Sequence, residues 1–334
     1  MRAVWYERNG EADEVLQDGE LETPTPAAGE VLVRLATSCV NPIDVKRRRG
    51  ARGQVIKDPL VIPGFDGAGL IAAVGEGVPE SRIGERVWVY EAQWQRPRGT
   101  AAEFVTVPAE RAVHLPDATS FVEGACFGIP ALTAHRAVLA DGPVTGQTVL
   151  VTGGAGAVGA YAIQFAKLGG ARVLTTVSSD QKAEVAADAG ADYVFNYKAE
   201  NVVQRIADLP GGGGVDRIVD VEFGGNLPQS LEILKPNGVI AAYASDAVPE
   251  PKVPFYALAY RSAMVRFILV FMMPEAAKRQ AIDDITRWLE AGELRHYIAK
   301  RLPLAKAVAA HQAMEAGVIG NIVLEIAPDL LGQA

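Results

Sequence analysis

The stretch TVLVTGGAGAVGAYAIQFAKLGG, residues 148–170, constrains the fold more than any other part of this 334-residue chain. A short run rich in β-branched residues, TVLVTG, leads into Gly154, Gly156 and Gly159 in G-x-G-x-x-G spacing. An apolar helical pattern, Val158–Leu168, opens there. Placed directly after a strand and at the start of a helix, the spacing reads as a dinucleotide-binding turn rather than three chance glycines. Gly154 and Gly156 allow a tight turn and close approach of backbone to a pyrophosphate, and Gly159 lets the helix pack on the sheet. The unpaired N–H groups of the first helical turn, at Ala157, Val158 and Gly159, then face the anion.

The surroundings agree with that motif. Around it β-type segments (TVLVTG, RVLTTVSS, YVFNY, RIVDVE, VIAAYAS) alternate with helical patterns near Val158–Leu168, Gln181–Ala189, Val202–Leu209 and Pro228–Leu234. The alternation implies a doubly wound parallel sheet covered on both faces. Before residue 120 the rhythm differs: RAVWYE, EVLVRLA, GLIAAVGEGV, ERVWVYE and AEFVTV are short strands separated by proline and glycine clusters. One short helix, PIDVKRRRG, interrupts them, with Asn41 and Pro42 as start signals and Gly50 as a stop. SFVEGACFGIPALTAHRAVLA reads as helical. After residue 275 come an amphipathic helix (PEAAKRQAIDDITRWLEAG), a second helix (AKAVAAHQAMEAG) and a strand (NIVLEI) that periodicity alone assigns to neither half. The length predicts two domains. The fold class is thus α/β, a β-rich domain joined to a Rossmann-type one.

The end of the second strand of the dinucleotide unit distinguishes the two nicotinamide cofactors, because a carboxylate there accepts hydrogen bonds from a free ribose 2′-OH. Here the strand ends in Ser178 and Ser179, with Lys182 one turn further on. Hydroxyls and an ammonium suit a 2′-phosphate, so NADPH is expected over NADH. Asp180 reads as a cap for the helix QKAEVAADAG.

Composition removes several function classes. A net charge of −8 and an isoelectric point near 5.2 provide no field for nucleic acid or anionic membranes. The run KRRRGAR (46–52) reads as a solvated face beside a helix end. Cys39 and Cys126 form no CxxC pair, so no disulfide framework or four-thiolate zinc site is expected, and a reducing cytoplasm fits. His114, His135, His296 and His311 form no H-x-x-x-H pair and read as surface or packing residues. The first residues lack the pattern of a signal peptide, RFILVFMMP is too short to span a bilayer, and glycines interrupt the uncharged run Val149–Ala166.

With these motifs the chain resembles the zinc-independent quinone oxidoreductase branch of the medium-chain dehydrogenase/reductase superfamily over nearly its whole length. NPIDVKRRRG looks like the branch's N-P-x-D-x-x-x-R-x-G segment, which matches Asn41, Asp44, Arg48 and Gly50. GIPALTAHRAV is similar to the helix whose threonine, here Thr133, approaches the nicotinamide, and GGAGAVGAYAIQFAK is close to the family's glycine loop. ADYVFNY resembles the following strand of the family, where a tyrosine, here Tyr197, packs near the 2′-phosphate. The resemblance implies a GroES-like catalytic domain (1–122 and 268–334) around a Rossmann NADPH-binding domain (123–267), with a cofactor cleft between them. It places LVFMM, with Val270 and Phe271, and GVIGNIVL, with Asn321, near the cofactor, and a homodimer contact at a Rossmann sheet edge, here VIAAYAS.

The implied activity is NADPH-dependent quinone reduction by direct hydride transfer, with a small conjugated carbonyl compound as acceptor, no metal and no nucleic-acid or membrane partner. An enone, enal or enoyl-thioester reductase is the first alternative, and a non-catalytic NADPH-binding protein with a structural or RNA-binding role the second. Asn41 would orient the acceptor oxygen or the nicotinamide ribose. Lys46 stands where many members have a tyrosine and Arg52 where another aromatic is common, so either could stabilise an enolate or attract an acidic acceptor. Zinc-bearing relatives carry a histidine and an acid where this chain has Phe65 and Asp66. Asp66 is therefore expected to pin its turn by accepting backbone N–H bonds, with an arginine nearby, rather than to serve a metal.

Overall fold

The computed structural model describes residues 1–53, 55–211 and 213–332, without the side chain of Arg52. The chain forms two units, Met1–Ile129 together with the segment from Ile282 onward, and Pro130–Ala281. The first begins with β1 (Arg2–Trp5), β2 (Gln17–Glu20), β3 (Glu30–Val40), β4 (Asp66–Val74), β5 (Arg86–Val89), β6 (Phe104–Pro108) and β7 (Ala112–His114). The second contains β8 (Thr148–Thr152), β9 (Arg172–Val177), β10 (Tyr193–Asn196), β11 (Val215–Asp220), β12 (Leu234–Ala242) and β13 (Met264–Phe267). The chain then returns to the first unit for β14 (Ile298–Pro303) and β15 (Asn321–Glu325).

The first unit is organised around β3. This strand pairs with β4 along most of its length, while on its other side β6 takes residues 30–34 and β15 takes 37–40. One strand can serve two neighbours in succession because the register shifts twice, between Leu32 and Val33 and between Leu35 and Thr37, which bends it. Val31, Val33, Leu35, Ile71, Val87, Val89, Val105 and Val107 fill the inside of the resulting curved sheet. Each such fully buried side chain contributes about 1.5–3 kcal/mol. Gly69 is required where β3 and β4 come closest, since a Cβ there would sit 2.0 Å from the carbonyl oxygen of Arg34.

The second unit is a parallel sheet of order β10-β9-β8-β11-β12-β13. The order reverses beside β8, the first strand, and ligands of such sheets bind at the strands' carboxyl ends at that switch point. All five strands expected from the sequence form. The sixth, β13, was hidden in a half-exposed segment without alternation. VIAAYAS is therefore not the sheet edge: it lies in and after β12, one strand in, and β13 is outermost. The proline-led helix expected at Pro228 begins earlier, at Phe223, and carries Pro228 inside it; Glu222 caps it by accepting from Gly225 N at 3.3 Å. Among the described residues no helix is long and apolar enough to cross a membrane.

Candidate active site

In the second unit, β8 ends at Thr152 and the chain turns at Gly153, which takes a positive φ of 68°. The expectation that Gly154 and Gly156 make the turn is corrected here. Gly153 supplies the left-handed conformation, while Gly154 is needed for contact: a Cβ on it would lie 2.0 Å from Thr175 Oγ1. Gly154 N donates to Thr176 O (3.1 Å) and Gly156 N to Gly153 O (3.0 Å), which closes the loop. Gly156 is the N-cap of the helix Ala157–Leu168 without a side chain to cap it, so the first-turn N–H groups of Ala157, Val158 and Gly159 have no partner within the helix. Gly159 seats the helix, because a Cβ there would stand 2.3 Å from Gly153 O.

Sequence reasoning missed the brace under this turn. Asp220, at the end of β11, is buried and accepts at Oδ1 from Thr152 Oγ1 (2.9 Å), Asn226 Nδ2 (2.8 Å) and Glu222 N (3.0 Å). Thr152 Oγ1 in turn accepts from Val221 N at 2.9 Å. Burial pushes the Asp220 carboxyl up, against these hydrogen bonds. The acid at the end of the fourth predicted strand, RIVDVE, was the available signal.

The expected 2′-phosphate residues come together. Lys182 Nζ donates to Ser178 Oγ at 3.0 Å, and Tyr197, half exposed, follows β10 with its N–H on Val177 O (3.1 Å). The helix after β9 is capped by Ser179, whose Oγ accepts from Lys182 N, and not by Asp180, which lies exposed in the first turn. Thr133 is buried in the helix Leu132–Leu139, which packs against the turn Val270–Met272 carrying Val270 and Phe271.

In the first unit Asn41 and Asn321 lie at one end of the sheet: Val40 pairs with Ile322, and the two asparagines are the next residue on each strand. Both are almost completely buried. Asn41 starts the helix Pro42–Arg48; its backbone N–H donates to Asp44 Oδ2 (2.7 Å) and its Nδ2 to Asp66 Oδ2 (2.9 Å). Asp66 also accepts from Ile129 N at 2.8 Å, and its Oδ1 has no hydrogen-bond partner among the described residues. The expected arginine is not among its partners. Burial raises the Asp66 carboxyl well above the usual range, with Asp44 and Glu91 adding in the same direction. The acid that pins the glycine turn is instead Asp44, which accepts from Gly64 N (3.0 Å), where φ is +106°. Burial takes Asp44 up to about 7, opposed by the N–H groups of Asn41 and Gly64 and by the charge of Arg47.

The basic run is only partly solvated: Arg48 is buried, while Arg49 and its partner are half exposed. Arg48 is buried against Glu315, Arg49 pairs with Glu11 at 2.7 Å, and Arg47 gives an N–H to Gln93 O (3.0 Å). Lys46 is half-buried on the same helix, and the Arg52 side chain lies outside the described residues. Cys39 and Cys126, distant in sequence, share a small buried cluster with Val122 and Val323 and are unbonded. Among the described residues no three His, Cys, Asp or Glu side chains form a cluster fit for a metal ion.

Residues 27–117 match the alcohol dehydrogenase GroES-like domain and residues 157–287 the zinc-binding dehydrogenase domain. The chain is 30% identical to a 2-haloacrylate reductase of Burkholderia sp over 97% of this chain and 98% of the other, and 29% identical to the quinone oxidoreductase of Lama guanicoe over 97% of each. This chain belongs to the zinc-independent quinone oxidoreductase branch of the medium-chain dehydrogenases/reductases. Solved medium-chain structures superpose on it throughout. A mycobacterial protein complexed with NADPH gives a TM-score of 0.85 at 30% identity, covering 97% and 99% of the two chains. An NAD-dependent alcohol dehydrogenase gives 0.86 at 29%, covering 98% and 100%. The chain is accordingly an NAD(P)-dependent medium-chain reductase that binds a nicotinamide cofactor. The glycine turn fits that cofactor on its own evidence: three first-turn N–H groups with no partner within the helix and a turn at which added Cβ atoms would collide.

Proposed function

We propose that this medium-chain reductase is an NADPH:quinone oxidoreductase that works without a metal, and that the observation carrying the cofactor assignment is the Ser178–Lys182 contact at the end of β9. No carboxylate ends that strand, and the nearest, Asp180, sits one position into the helix with its side chain exposed. Ser178, Ser179 and Lys182 hold the 2′-phosphate beside the ring of Tyr197, and Ala157, Val158 and Gly159 donate to the pyrophosphate. Bound NADPH supplies a hydride at the nicotinamide C4. Thr133, Val270 and Phe271 of the second unit, and Asn321 of the first, are each assigned to the nicotinamide by the family resemblance.

Asn41 gives one Nδ2 proton to Asp66 and keeps the second for a ligand oxygen, that of the acceptor or of the nicotinamide ribose. Lys46 and Arg52 contribute positive charge near the acceptor, which takes its proton from water. Quinone as acceptor is supported by the curated relatives of that name, and conjugated carbonyl compounds by the 2-haloacrylate reductase. A conjugated acceptor needs no Lewis acid to stabilise an alkoxide.

Homodimerisation is proposed through β13, the outer strand, rather than VIAAYAS. Its Phe267 is 70% exposed, and Phe255, Tyr256 and Tyr260 are also exposed in the same unit. The two unbonded thiols fit a cytoplasmic protein.

Stopped-flow oxidation of NADPH and NADH with 1,4-benzoquinone, a simple enal and an enoyl-CoA tests this reading. Faster turnover of NADPH with the quinone supports it. Preference for NADH would refute the Ser178/Lys182 assignment, and oxidation of neither cofactor would refute the enzyme.

A further inference from the structure

Two buried acids hold Asn41, and they hold different parts of it. Asp44 takes its backbone N–H (2.7 Å) and Asp66 one proton of its side-chain amide (2.9 Å). The strand register brings the second pair together. Asp66 lies opposite Cys39 in the β3–β4 ladder, and Asn41, two residues beyond Cys39, keeps an extended backbone (φ −105°, ψ 161°). The alternation of the strand therefore puts the Asn41 side chain on the face of Asp66. Gly128 seats the buried carboxyl, since a Cβ on that glycine would lie 2.0 Å from Asp66 Oδ1 and 2.5 Å from its Cγ. The Oδ2 that meets Asn41 also accepts from Ile129 N (2.8 Å), whereas Oδ1 has no hydrogen-bond partner among the described residues.

This asymmetry decides which way the Asn41 amide faces. An amide turns about a terminal torsion with two broad wells, and a half-turn exchanges its oxygen and nitrogen. Because the Ile129 N–H already uses Oδ2 as an acceptor, a proton taken up by the carboxyl goes to Oδ1. Oδ2 thus meets Asn41 as an acceptor in either ionisation state, and only the NH2 edge satisfies it. A flipped Asn41 would set two buried oxygens against each other with no proton between them.

We propose that Asp66 is a positioning residue of the reaction: it fixes the amide plane of Asn41, so that the second Nδ2 proton stays directed at the ligand oxygen. The inference rests on the reading that Asn41 binds the acceptor or the nicotinamide ribose, and it names the residue that sets the direction of that donor. The role needs an acceptor oxygen at Oδ2 and no negative charge. Burial, which raises the carboxyl, therefore does not work against it, because the neutral acid presents the same oxygen. Asparagine at position 66 would keep a carbonyl oxygen there and set its NH2 where Oδ1 now lies; alanine would remove the acceptor and let the Asn41 amide turn. Asp66 also holds Ile129 N in the turn Phe127–Ala131, so its effect on Asn41 has to be separated from a loss of that turn.

A double-mutant cycle on kcat/KM for 1,4-benzoquinone with NADPH makes that separation, with Asp66→Ala and Asp66→Asn each combined with Asn41 and with Asn41→Ala. Asp66→Ala is expected to lower kcat/KM about 10- to 100-fold when Asn41 is present and less than about twofold when Asn41 is already alanine, since an absent donor cannot be misplaced. Asp66→Asn is expected to stay within about threefold of the wild type. Equal losses from Asp66→Ala in both backgrounds would overturn the proposal, leaving Asp66 only the turn at Ile129 to hold. So would a loss with Asp66→Asn as large as with Asp66→Ala. Gly128→Ala, which keeps the acid and pushes its carboxyl aside, should repeat the pattern of Asp66→Ala and decides the matter if that variant does not fold. Asn41→Ala with wild-type activity would remove the reading of Asn41 and this inference together; an impaired Asn41→Ala with additive losses would remove the inference alone.

Discussion

Replacing Gly159 by alanine isolates what the glycine turn does. Gly159 lies within a helix at ordinary φ, so alanine is locally favoured there by about 1 kcal/mol of helix propensity. Any loss must come from contact. The added Cβ would be 2.3 Å from Gly153 O and 3.0 Å from both Gly153 C and Gly154 Cα, all of them backbone atoms that cannot rotate away. Restoring an ordinary separation of about 3.5 Å moves the helix terminus by about 1 Å relative to the turn. A displacement of that size can cost about 10²-fold where donors must meet a ligand, and overpacking costs about 1–3 kcal/mol. The expected outcome is a Kd for NADPH raised about 10- to 100-fold, measured by quenching of protein fluorescence, with a melting temperature lowered by a few degrees. Gly156→Ala is the control. Its Cβ has one near neighbour, Gly153 O at 3.3 Å, so it should weaken NADPH binding by crowding the anion while leaving the melting temperature nearly unchanged. Gly159→Ala binding NADPH within twofold of the wild type would refute the seating argument.

Lys182→Ala should raise the Kd for NADPH about tenfold, the worth of one charge-assisted hydrogen bond, and leave NADH unaffected; equal weakening of both in titrations would contradict the 2′-phosphate assignment. His311 is held neutral, its pKa lowered from 6.5 to about 3 by burial and then by the charge of Arg48. Since the folded value lies below the unfolded one, its contribution is complete above pH 6.5 and is lost as pH falls from 6.5 towards 3. His311→Gln should therefore lose about 2 kcal/mol less stability than the wild type between pH 6.5 and 5 in urea unfolding, and an identical pH slope would count against it. Asp44 acts in the opposite sense. Its folded value of about 7 lies above 3.8, so its contribution is complete below pH 3.8 and fades as pH rises to 7; Asp44→Asn should flatten the fall in stability between pH 5 and 7 in the same assay.

Features governed by local periodicity were legible in the chain. The strands of the parallel sheet and the glycine turn follow from alternation and from a motif whose mechanics are local. What escaped depends on residues that meet only after folding. Gly154 must be glycine because Thr175, from the neighbouring strand, fills the space a Cβ would take. The edge strand β13 is half-exposed on a short segment, so it has no hydrophobic signature to read. Asp44 rather than Asp66 pins Gly64 because β4 begins at Asp66 and turns its carboxylate towards Asn41 and Ile129. The arginine run looked solvated because its partners, Glu11, Gln93 and Glu315, lie 38, 46 and 267 residues away along the chain.

The central claim is direct hydride transfer from a bound nicotinamide to a conjugated acceptor. Reduction of a simple enal with NADPH deuterated at C4 on the transferred face tests it most directly, since a quinone would lose the label to water from oxygen while a β-carbon retains it. Mass spectrometry of the product should find one deuterium at the β-carbon in nearly every molecule. Product formed without deuterium at that carbon would contradict the account.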